Sequence, residues 1–267
     1  MKRAELKDVQ RIVIKLGTNT IMKTPSEINY KKLDRLAFVC SALMQEGKEI
    51  VIVTSGAVGA GASALNIEHK PETVEEQQAY AAIGQSILMN HYSRFFQYYG
   101  EVVAQMLLTR DVIEFPTSLE NVKRTLNNLL KKGIVPIINE NDVVSVDELD
   151  HKTKFGDNDT LSAIVANLSD ADLLVILSDV DGLYDDNPKT NPKAKIMSQV
   201  DEINKEVMEM ASGKGSEFST GGMYTKLLAA DIILKNDRSM IIASGKDPSI
   251  IFQLLAGDRV GTLFSQF

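Results

Sequence analysis

Two kinds of hydrophobic pattern alternate along the chain. Short runs of apolar residues are typical of buried strands, and longer segments with apolar residues every three or four positions are typical of amphipathic helices. The runs predict strands at residues 11–16, 49–54, 102–108, 134–138, 173–177 and 239–242, with a terminal strand near 262–264. The periodic segments predict helices at residues 30–46, 73–96, 116–133, 158–168, 223–235 and 248–255. This alternation predicts an α/β fold with a mainly parallel sheet covered on both faces.

Residues that start or stop regular structure support these boundaries. Gly47 closes the first long helix, Thr73 and Glu76 form a capping-box pattern, and Pro116 is typical of a helix start. A polar stretch at residues 143–155 predicts a small hairpin outside the main sheet. Ligands of such sheets bind beyond the carboxyl ends of the strands, so we expect the functional residues there.

Composition narrows the class of protein. A chain of 267 residues with 44% hydrophobic content can bury the core of one domain. No apolar run approaches the roughly 20 residues that cross a bilayer, and residues 1–10 do not resemble a signal peptide, so we expect a cytoplasmic protein without membrane contact. A formal charge of −7 without a basic block predicts no binding to nucleic acid. The single cysteine, Cys40, excludes an intrachain disulfide.

Two lysines are candidates for binding phosphate. Lys15 ends the first predicted strand, where a buried ammonium group needs an anionic partner, and Gly17 lets the backbone approach a ligand. Lys226 lies one turn inside a predicted helix that follows Gly221 and Gly222, where backbone amides and the helix dipole favour anions. The alternatives are a strand-end lysine that reaches solvent and an ordinary glycine-rich helix start. Neither a Walker A motif nor the protein-kinase motifs occur.

A glycine-rich segment at residues 55–61 follows a predicted strand and opens a helix of small residues. Its exposed amides favour an anion, whereas tight helix packing is the alternative explanation of the glycines. Residues 59–64 also match GxGxxA, but no acid follows at the end of a second strand, so a dinucleotide site is the weaker interpretation.

Two clusters of Asp and Asn follow predicted strands or precede a helix, at residues 139–142 and 156–159. Either cluster alone is typical of turns and helix caps. Together they offer groups for the ammonium of an amino acid, and Asp157 and Asp159 could hold Mg²⁺ through water.

In combination these segments resemble the amino acid kinase family from about residue 11 to 264. The matching sequences are KLGT at 15–18, SGAVGAG at 55–61, INEND at 138–142, GDND at 156–159, SDVDGLY at 178–184 and TGGMYTK at 220–226. They resemble the branch that phosphorylates the side-chain carboxylate of free L-glutamate in proline synthesis. The resemblance implies a three-layer α/β/α sandwich, a glutamate-binding lobe at about 1–170, a nucleotide-binding lobe at about 171–267, and ATP and Mg²⁺ as cofactors.

The resemblance also implies roles for individual residues. Glutamate would be held by Ser55, Asp142 and Asn158. ATP would be bound by Lys15, Ser178, Asp179, Thr220, Gly221, Gly222, Met223, Tyr224, Thr225 and Lys226, with Lys15 and Lys226 as the catalytic pair. The family more often has Thr where this chain has Ser178, and the hydroxyl group is kept.

The family further implies a homo-oligomer, feedback inhibition by proline, and a metabolic partner in the reductase that consumes glutamyl 5-phosphate. Many members continue into a carboxyl-terminal PUA domain, which is not expected in a sequence that ends at Phe267. A carboxylate acceptor is already ionised at neutral pH, so the chemistry needs no general base. Three alternatives stay open: another small carboxylate or carbamate as substrate, a non-catalytic amino acid sensor, and a nicotinamide-dependent oxidoreductase.

Overall fold

The computed structural model of the chain describes residues 1–24, 27–67, 69, 71–110, 114–145, 157–188, 190–212 and 222–266. The strands in these residues are β1 Arg11–Leu16, β2 Met22–Thr24, β3 Glu27–Ile28, β4 Glu49–Val53, β5 Val102–Leu108, β6 Ile134–Glu140, β7 Leu173–Ser178, β8 Gln199–Val200, β9 Ser239–Ser244 and β10 Thr262–Phe264. A 3₁₀ helix at Arg3–Asp8 precedes the helices α1 Thr18–Ile21, α2 Tyr30–Gln45, α3 Ala57–Ala64, α4 Val74–Tyr98, α5 Pro116–Lys131, α6 Asn158–Leu168, α7 Lys205–Ser212, α8 Met223–Leu234 and α9 Ile250–Leu255.

Eight strands form one sheet in the order β5-β6-β4-β1-β7-β9-β10-β8. The strands from β5 to β9 in this order are parallel, whereas β10 runs antiparallel to β9. The predicted mainly parallel sheet is therefore confirmed. Because these strands share one direction, their carboxyl ends meet at one edge of the sheet.

Each face of the sheet is covered by helices, because successive residues of a buried strand point to opposite sides. In β1, Ile12 and Ile14 belong to a core shared with α2, α4 and α9. Val13 belongs to a second core, shared with α5, α6 and α8. Full burial of each such side chain contributes about 1.5–3 kcal/mol to the stability of the fold. Because the strands are buried on both faces, their sequences are continuous apolar runs. The α/β/α layering is confirmed.

Helix starts use the side chains that the sequence suggested. Thr73 Oγ1 accepts a hydrogen bond from Glu76 N at 3.2 Å. The carboxylate of Glu76 accepts from Glu72 N at 2.8 Å rather than from Thr73 N, so the capping box is shifted by one residue. At the end of α2, Gly47 adopts φ +86°, a conformation that favours glycine.

Helices α3 and α4 approach each other closely through two glycines. A Cβ atom on Gly84 would lie 1.7 Å from Ala57 O, and one on Gly61 would lie 2.0 Å from Tyr80 O. The packing explanation of Gly61 is thus confirmed. Gly56, with φ +94°, forms the turn from β4 into α3.

The structure differs from the sequence predictions in a few elements. Strand β6 continues through Asn139 and Glu140, because both residues pair with the end of β5. The short strands β2, β3 and β8 and the helices α1 and α7 were not predicted. Most of the hairpin predicted at residues 143–155 lies outside the described residues. Among the helices that the structure describes, none is both long and apolar enough to cross a membrane.

Candidate active site

The predicted functional residues gather where β1, β4, β6 and β7 end and where α6 and α8 begin. Two neighbouring cavities open at this edge. The lysine cavity, of about 290 Å³, is lined among others by Lys15, Gly17, Thr18, Asp157, Asp159, Leu177, Ser178, Asp179, Gly222, Thr225 and Lys226. The serine cavity, of about 330 Å³, is lined among others by Lys15, Thr18, Ser55, Gly56, Gly59, Asn139, Glu140, Asp142, Asp157 and Asn158. Because Lys15, Thr18 and Asp157 line both, the two cavities share a boundary.

Asp159 joins the two candidate lysines in the lysine cavity. Its Oδ1 lies 2.6 Å from Lys15 Nζ, and its Oδ2 lies 3.1 Å from Lys226 Nζ. Thr225 Oγ1 donates a hydrogen bond to Oδ2 at 2.7 Å, and Lys226 Nζ also donates to Gly222 O at 3.1 Å. Lys15 comes from β1 and Lys226 from α8, so the fold brings together cations from opposite ends of the chain.

This cluster is nearly dry, since the side chains of Lys15, Asp159 and Lys226 are only 9%, 4% and 10% exposed. Burial by itself raises the pKa of Asp159, but the two lysines and the hydrogen bond from Thr225 outweigh it. The pKa of Asp159 therefore lies below its ordinary value of 3.8, and the group is a carboxylate at neutral pH. Two ammonium groups and one carboxylate leave this cluster with one net positive charge, which attracts an anion at short range, while the carboxyl groups of Asp157 and Asp179 line the same cavity.

Asp157 has a different environment. Its Oδ1 accepts from Asp159 N at 2.6 Å and from Thr160 N at 2.9 Å, which caps α6. Burial raises the pKa of Asp157, and nearby Asp159 adds to the rise, while the cap hydrogen bonds and Lys15 oppose it. Both predicted Asp residues of this segment thus lie in the site, one as a cap and one as a counter-ion.

The serine cavity contains an amide network centred on Asn158. Its Nδ2 donates to Thr54 O at 2.7 Å, to Ser55 Oγ at 2.8 Å and to Asn139 Oδ1 at 3.0 Å. Because Nδ2 is committed to these acceptors, Asn158 can meet a ligand only through Oδ1, as an acceptor. Ser55 Oγ accepts from Asn158, so its own hydrogen is directed elsewhere and can be donated to a bound anion.

The remaining predicted residues fall into three groups. Ser178 and Asp179 line the lysine cavity, and Ser178 Oγ donates to Asp179 Oδ1 at 3.0 Å. Gly222, with φ +82°, begins α8 and lines the same cavity, whereas Met223 packs against the second core. Tyr224 lies in the first turn of α8. The other two members of the segment, Thr220 and Gly221, lie outside the described residues.

Several residues of the site were not assigned a role from the sequence. Asn139, Glu140 and Thr18 line the cavities. Each lies in a motif that carried the family resemblance, but none was given a role of its own. Gln85 gave no signal, because it lies in the middle of the long helix α4 and reaches Asn139 only through the tertiary fold.

A model of the amino acid kinase family matches residues 10–244. The chain belongs to the amino acid kinase family. The matched residues run from the start of β1 to the end of β9, so the amino acid kinase region contains both cavities. It also contains every strand whose carboxyl end borders them.

Relatives within this family are similar over nearly their whole length. Glutamate 5-kinase from Enterococcus faecalis is 53% identical over 262 residues, which cover 98% of this chain and 97% of that protein. Glutamate 5-kinase from Listeria innocua is 52% identical over 263 residues, covering 98% and 95%. The fold is shared with UMP kinase from Bacillus anthracis at a TM-score of 0.63 and 18% identity, with 96% of each chain covered.

Proposed function

We propose that the chain transfers the terminal phosphoryl group of ATP to the side-chain carboxylate of free L-glutamate. The observation that carries this proposal is the pair of adjoining cavities. Lys15 lies at their boundary, and the carboxylate of Asp159 binds both Lys15 and Lys226 in the lysine cavity. Identity of about half over nearly the full length with two glutamate 5-kinases supports glutamate as the acceptor.

The reaction needs two anions to be held together, because the acceptor carboxylate and the triphosphate repel each other. An unperturbed glutamate side chain has a pKa of about 4.3, so the nucleophile is ionised and no base is required. The remaining task is to position the reactants and to neutralise charge on the transferred group. Lys15 and Lys226 perform it, supported by the backbone amides at the start of α8.

Asp159 prepares the two lysines for this task. Without a counter-ion, two ammonium groups in one poorly solvated cavity would repel each other and turn toward solvent. One carboxylate oxygen on each lysine fixes both heads before nucleotide arrives. Fixed charges cost no reorganisation when the phosphoryl group moves, which is the usual source of electrostatic catalysis.

Glutamate occupies the serine cavity in this proposal. Oδ1 of Asn158 accepts from the substrate ammonium, and Asp142 adds a negative charge that favours the same group. The hydroxyl of Ser55 donates to a substrate carboxylate. Lys15, on the boundary, attracts the side-chain carboxylate toward the nucleotide.

ATP occupies the lysine cavity and extends past Ser178 and Asp179 at the end of β7. The phosphates lie against Gly222 and Lys226 at the start of α8, which are described residues of the predicted ATP-binding segment. In this proposal the acceptor lobe covers about residues 1–170 and the nucleotide lobe about 171–267, and the lysine cavity takes residues from both. Both lobes contribute strands to one continuous sheet.

Magnesium fits this site as an ion that arrives with the phosphates and keeps most of its water. Mg²⁺ in such sites is held by one or two carboxylates together with substrate phosphate oxygens. Asp157 is the better candidate ligand, through water, since only its Oδ1 is used to cap α6. Both oxygens of Asp159 already lie against ammonium groups. When bound, the ion would neutralise phosphate charge.

Trapping of the acyl phosphate tests the proposal. Purified protein is incubated with ATP, Mg²⁺, hydroxylamine and one acid from a panel of L-glutamate, L-aspartate, N-acetyl-L-glutamate and acetate, and the hydroxamate is measured. Release of ADP with UMP is measured in parallel. We expect hydroxamate from L-glutamate at least tenfold faster than from any other acid, and no response to UMP. A faster reaction with another member of the panel, or ATP turnover with none, would refute the assignment.

A further inference from the structure

Helix α4 lies behind the serine cavity and is held close to it by glycine. At Gly84 the helix touches the backbone of Ala57, where a Cβ atom would overlap Ala57 O. The next residue, Gln85, is 7% exposed and points from α4 toward the end of β6. Gln85 does not itself line the serine cavity among the described residues, so it can act there only through a neighbour.

That neighbour is Asn139. Its Nδ2 donates to Gln85 Oε1 at 2.9 Å, and its Oδ1 accepts from Asn158 Nδ2 at 3.0 Å. Asn158 in turn donates to Ser55 Oγ. Three amides and one hydroxyl therefore form a chain of hydrogen bonds that runs from α4 to two of the residues proposed to hold glutamate.

Backbone groups fix the direction of this chain. Glu140 N can only donate, and it donates to Asn139 Oδ1 at 2.9 Å, so Asn139 must present Nδ2 to Gln85. Thr54 O can only accept, and it accepts from Asn158 Nδ2 at 2.7 Å, so Asn158 must present Oδ1 to a ligand. Asn139 Oδ1 shares with Thr54 O the task of holding Asn158 Nδ2, so the Oδ1 that Asn158 offers to a substrate ammonium is held less firmly when Asn139 is not ordered.

Stability alone is a poor reason for a glutamine at position 85. Its Nε2 is buried and has no hydrogen-bond partner in the part of the chain that the structure describes. A buried donor without a partner is destabilising, so an apolar side chain of the same shape would remove one unsatisfied group while creating another on Asn139. The net effect on folding is small, whereas the effect on the orientation of Asn139 is direct.

We propose that Gln85 is a positioning residue for the amino acid substrate, which it orders through Asn139 and Asn158. This inference rests on the proposed function, because it requires glutamate to bind in the serine cavity. Gln85 affects the binding of glutamate and not the binding of the nucleotide, since the lysine cavity is lined by other side chains among the described residues.

The test compares Gln85→Met with wild type. Methionine keeps the shape of the side chain and removes the acceptor. We expect KM for L-glutamate to rise about tenfold, the effect of one lost hydrogen bond to a buried group, while KM for ATP stays within twofold. Gln97→Met, an exposed substitution on the same helix, is the matched control and should behave as wild type. An unchanged KM for glutamate, or equal changes in both KM values, would contradict the proposal.

Gln85→Glu keeps an acceptor oxygen at the same place and should restore KM for glutamate to within about threefold of wild type. If Gln85→Met does not fold, the test rests on Gln85→Glu alone. A rise above tenfold in the KM of Gln85→Glu for glutamate then overturns the inference. Hydroxamate formation by wild type separates the two proposals. If wild type uses glutamate and Gln85→Met is unaffected, only the role of Gln85 fails; if wild type does not use glutamate, both fail.

Discussion

A single carboxylate, Asp159, determines how the two cations of the site are arranged. Its two oxygens hold Lys15 and Lys226 in one cavity, and Thr225 supports the carboxylate from the first turn of α8. Removing one lysine leaves Asp159 paired with the other, so the buried charge keeps a partner. Removing Asp159 would leave two cations without one, which is the more damaging change.

Lys226→Ala should therefore lose turnover and keep its fold. We expect kcat to fall on the order of 10²–10³, as for the loss of one preorganised electrostatic donor, with a melting temperature close to wild type. Lys235→Ala is the control, because Lys235 lies at the end of the same helix and its ion pair with Asp231 is exposed. Near-normal turnover of Lys226→Ala would remove this lysine from the catalytic pair.

Asp157→Asn should separate stability from activity. Asparagine caps a helix as well as aspartate does, and it carries no charge to bury. Because the folded pKa of Asp157 is raised, its carboxylate costs stability above that pKa and costs nothing below the ordinary value of 3.8. The variant should thus gain stability over wild type as pH rises from about 4 to 7. The Mg²⁺ concentration for half-maximal turnover should rise at least tenfold, because the variant loses a carboxylate proposed to hold the ion.

Urea unfolding at a series of pH values checks the stability part. Asp247→Asn supplies a control of opposite sign, because the pKa of Asp247 is lowered, mainly by a hydrogen bond from Ser249 N. That variant should lose stability relative to wild type as pH rises toward the ordinary value of 3.8, a lower range than the one in which Asp157→Asn gains stability. A difference between Asp157→Asn and wild type that does not change with pH would contradict the argument.

For single residues, the sequence predicted a functional role where the residue type conflicts with its position in a strand or helix. Lys15 interrupts a strand built for the core, and Lys226 follows a glycine pair at a helix start. Thr225 was predicted to bind ATP, but its hydrogen bond to Asp159 and that of Gln85 to Asn139 were not predictable, since both join residues far apart in the chain. Local pattern carries no information about such partners.

Among the elements, those with their own apolar pattern and end signals were predicted well. Strands β1, β5 and β10 and helix α6 have the predicted bounds. The missed elements are short: β2, β3 and β8 have two or three residues each and exist because a neighbouring strand pairs with them. A segment of that length carries too few residues to show a period.

Gly84→Ala tests whether the contact of α3 with α4 supports the acceptor site. The added methyl group would meet Ala57 O at 1.7 Å, so the helices must separate, at a cost of about 3 kcal/mol or more. Since Gln85 is the next residue, KM for glutamate should rise along with the loss of stability. Ser86→Ala, exposed on the same helix, is the control for an added helix former. A Gly84→Ala protein with normal stability would show that α3 and α4 lie further apart.

The order of the strands is a property of the whole molecule that the sequence did not provide. Alternation of strands and helices predicted a parallel sheet, but it could not place β1 at the centre between β4 and β7. That central position explains why Lys15 borders both cavities. Strand β1 ends between β4, which leads to Ser55 in the serine cavity, and β7, which ends at Ser178 in the lysine cavity.

The two ends of the chain are joined by Arg3. Its guanidinium donates to the carbonyl oxygens of Asp258, Val260, Gly261 and Ser198 at 2.7–2.9 Å. These acceptors lie just before β10 and β8, so one side chain ties the 3₁₀ helix to the edge of the sheet. Burial lowers the pKa of Arg3, and nearby Arg259 adds to this effect. The desolvation of the guanidinium is offset by the four acceptors.

Arg3→Ala should therefore destabilise the whole domain without altering the chemistry. Hydrogen bonds from a charged donor contribute about 1.5–3 kcal/mol each, so the loss of four should lower the melting temperature of a domain of this size by more than about 10 °C. Arg3→Lys should lose nearly as much, because one ammonium group cannot reach all four carbonyls in the planar geometry of arginine. Lys7→Ala, exposed on the same 3₁₀ helix, is the control. Since Arg3 lines neither cavity among the described residues, KM for glutamate and kcat at 20 °C should stay at wild-type values. A change in either constant would mean that the edge formed by β8 and β10 is coupled to the site.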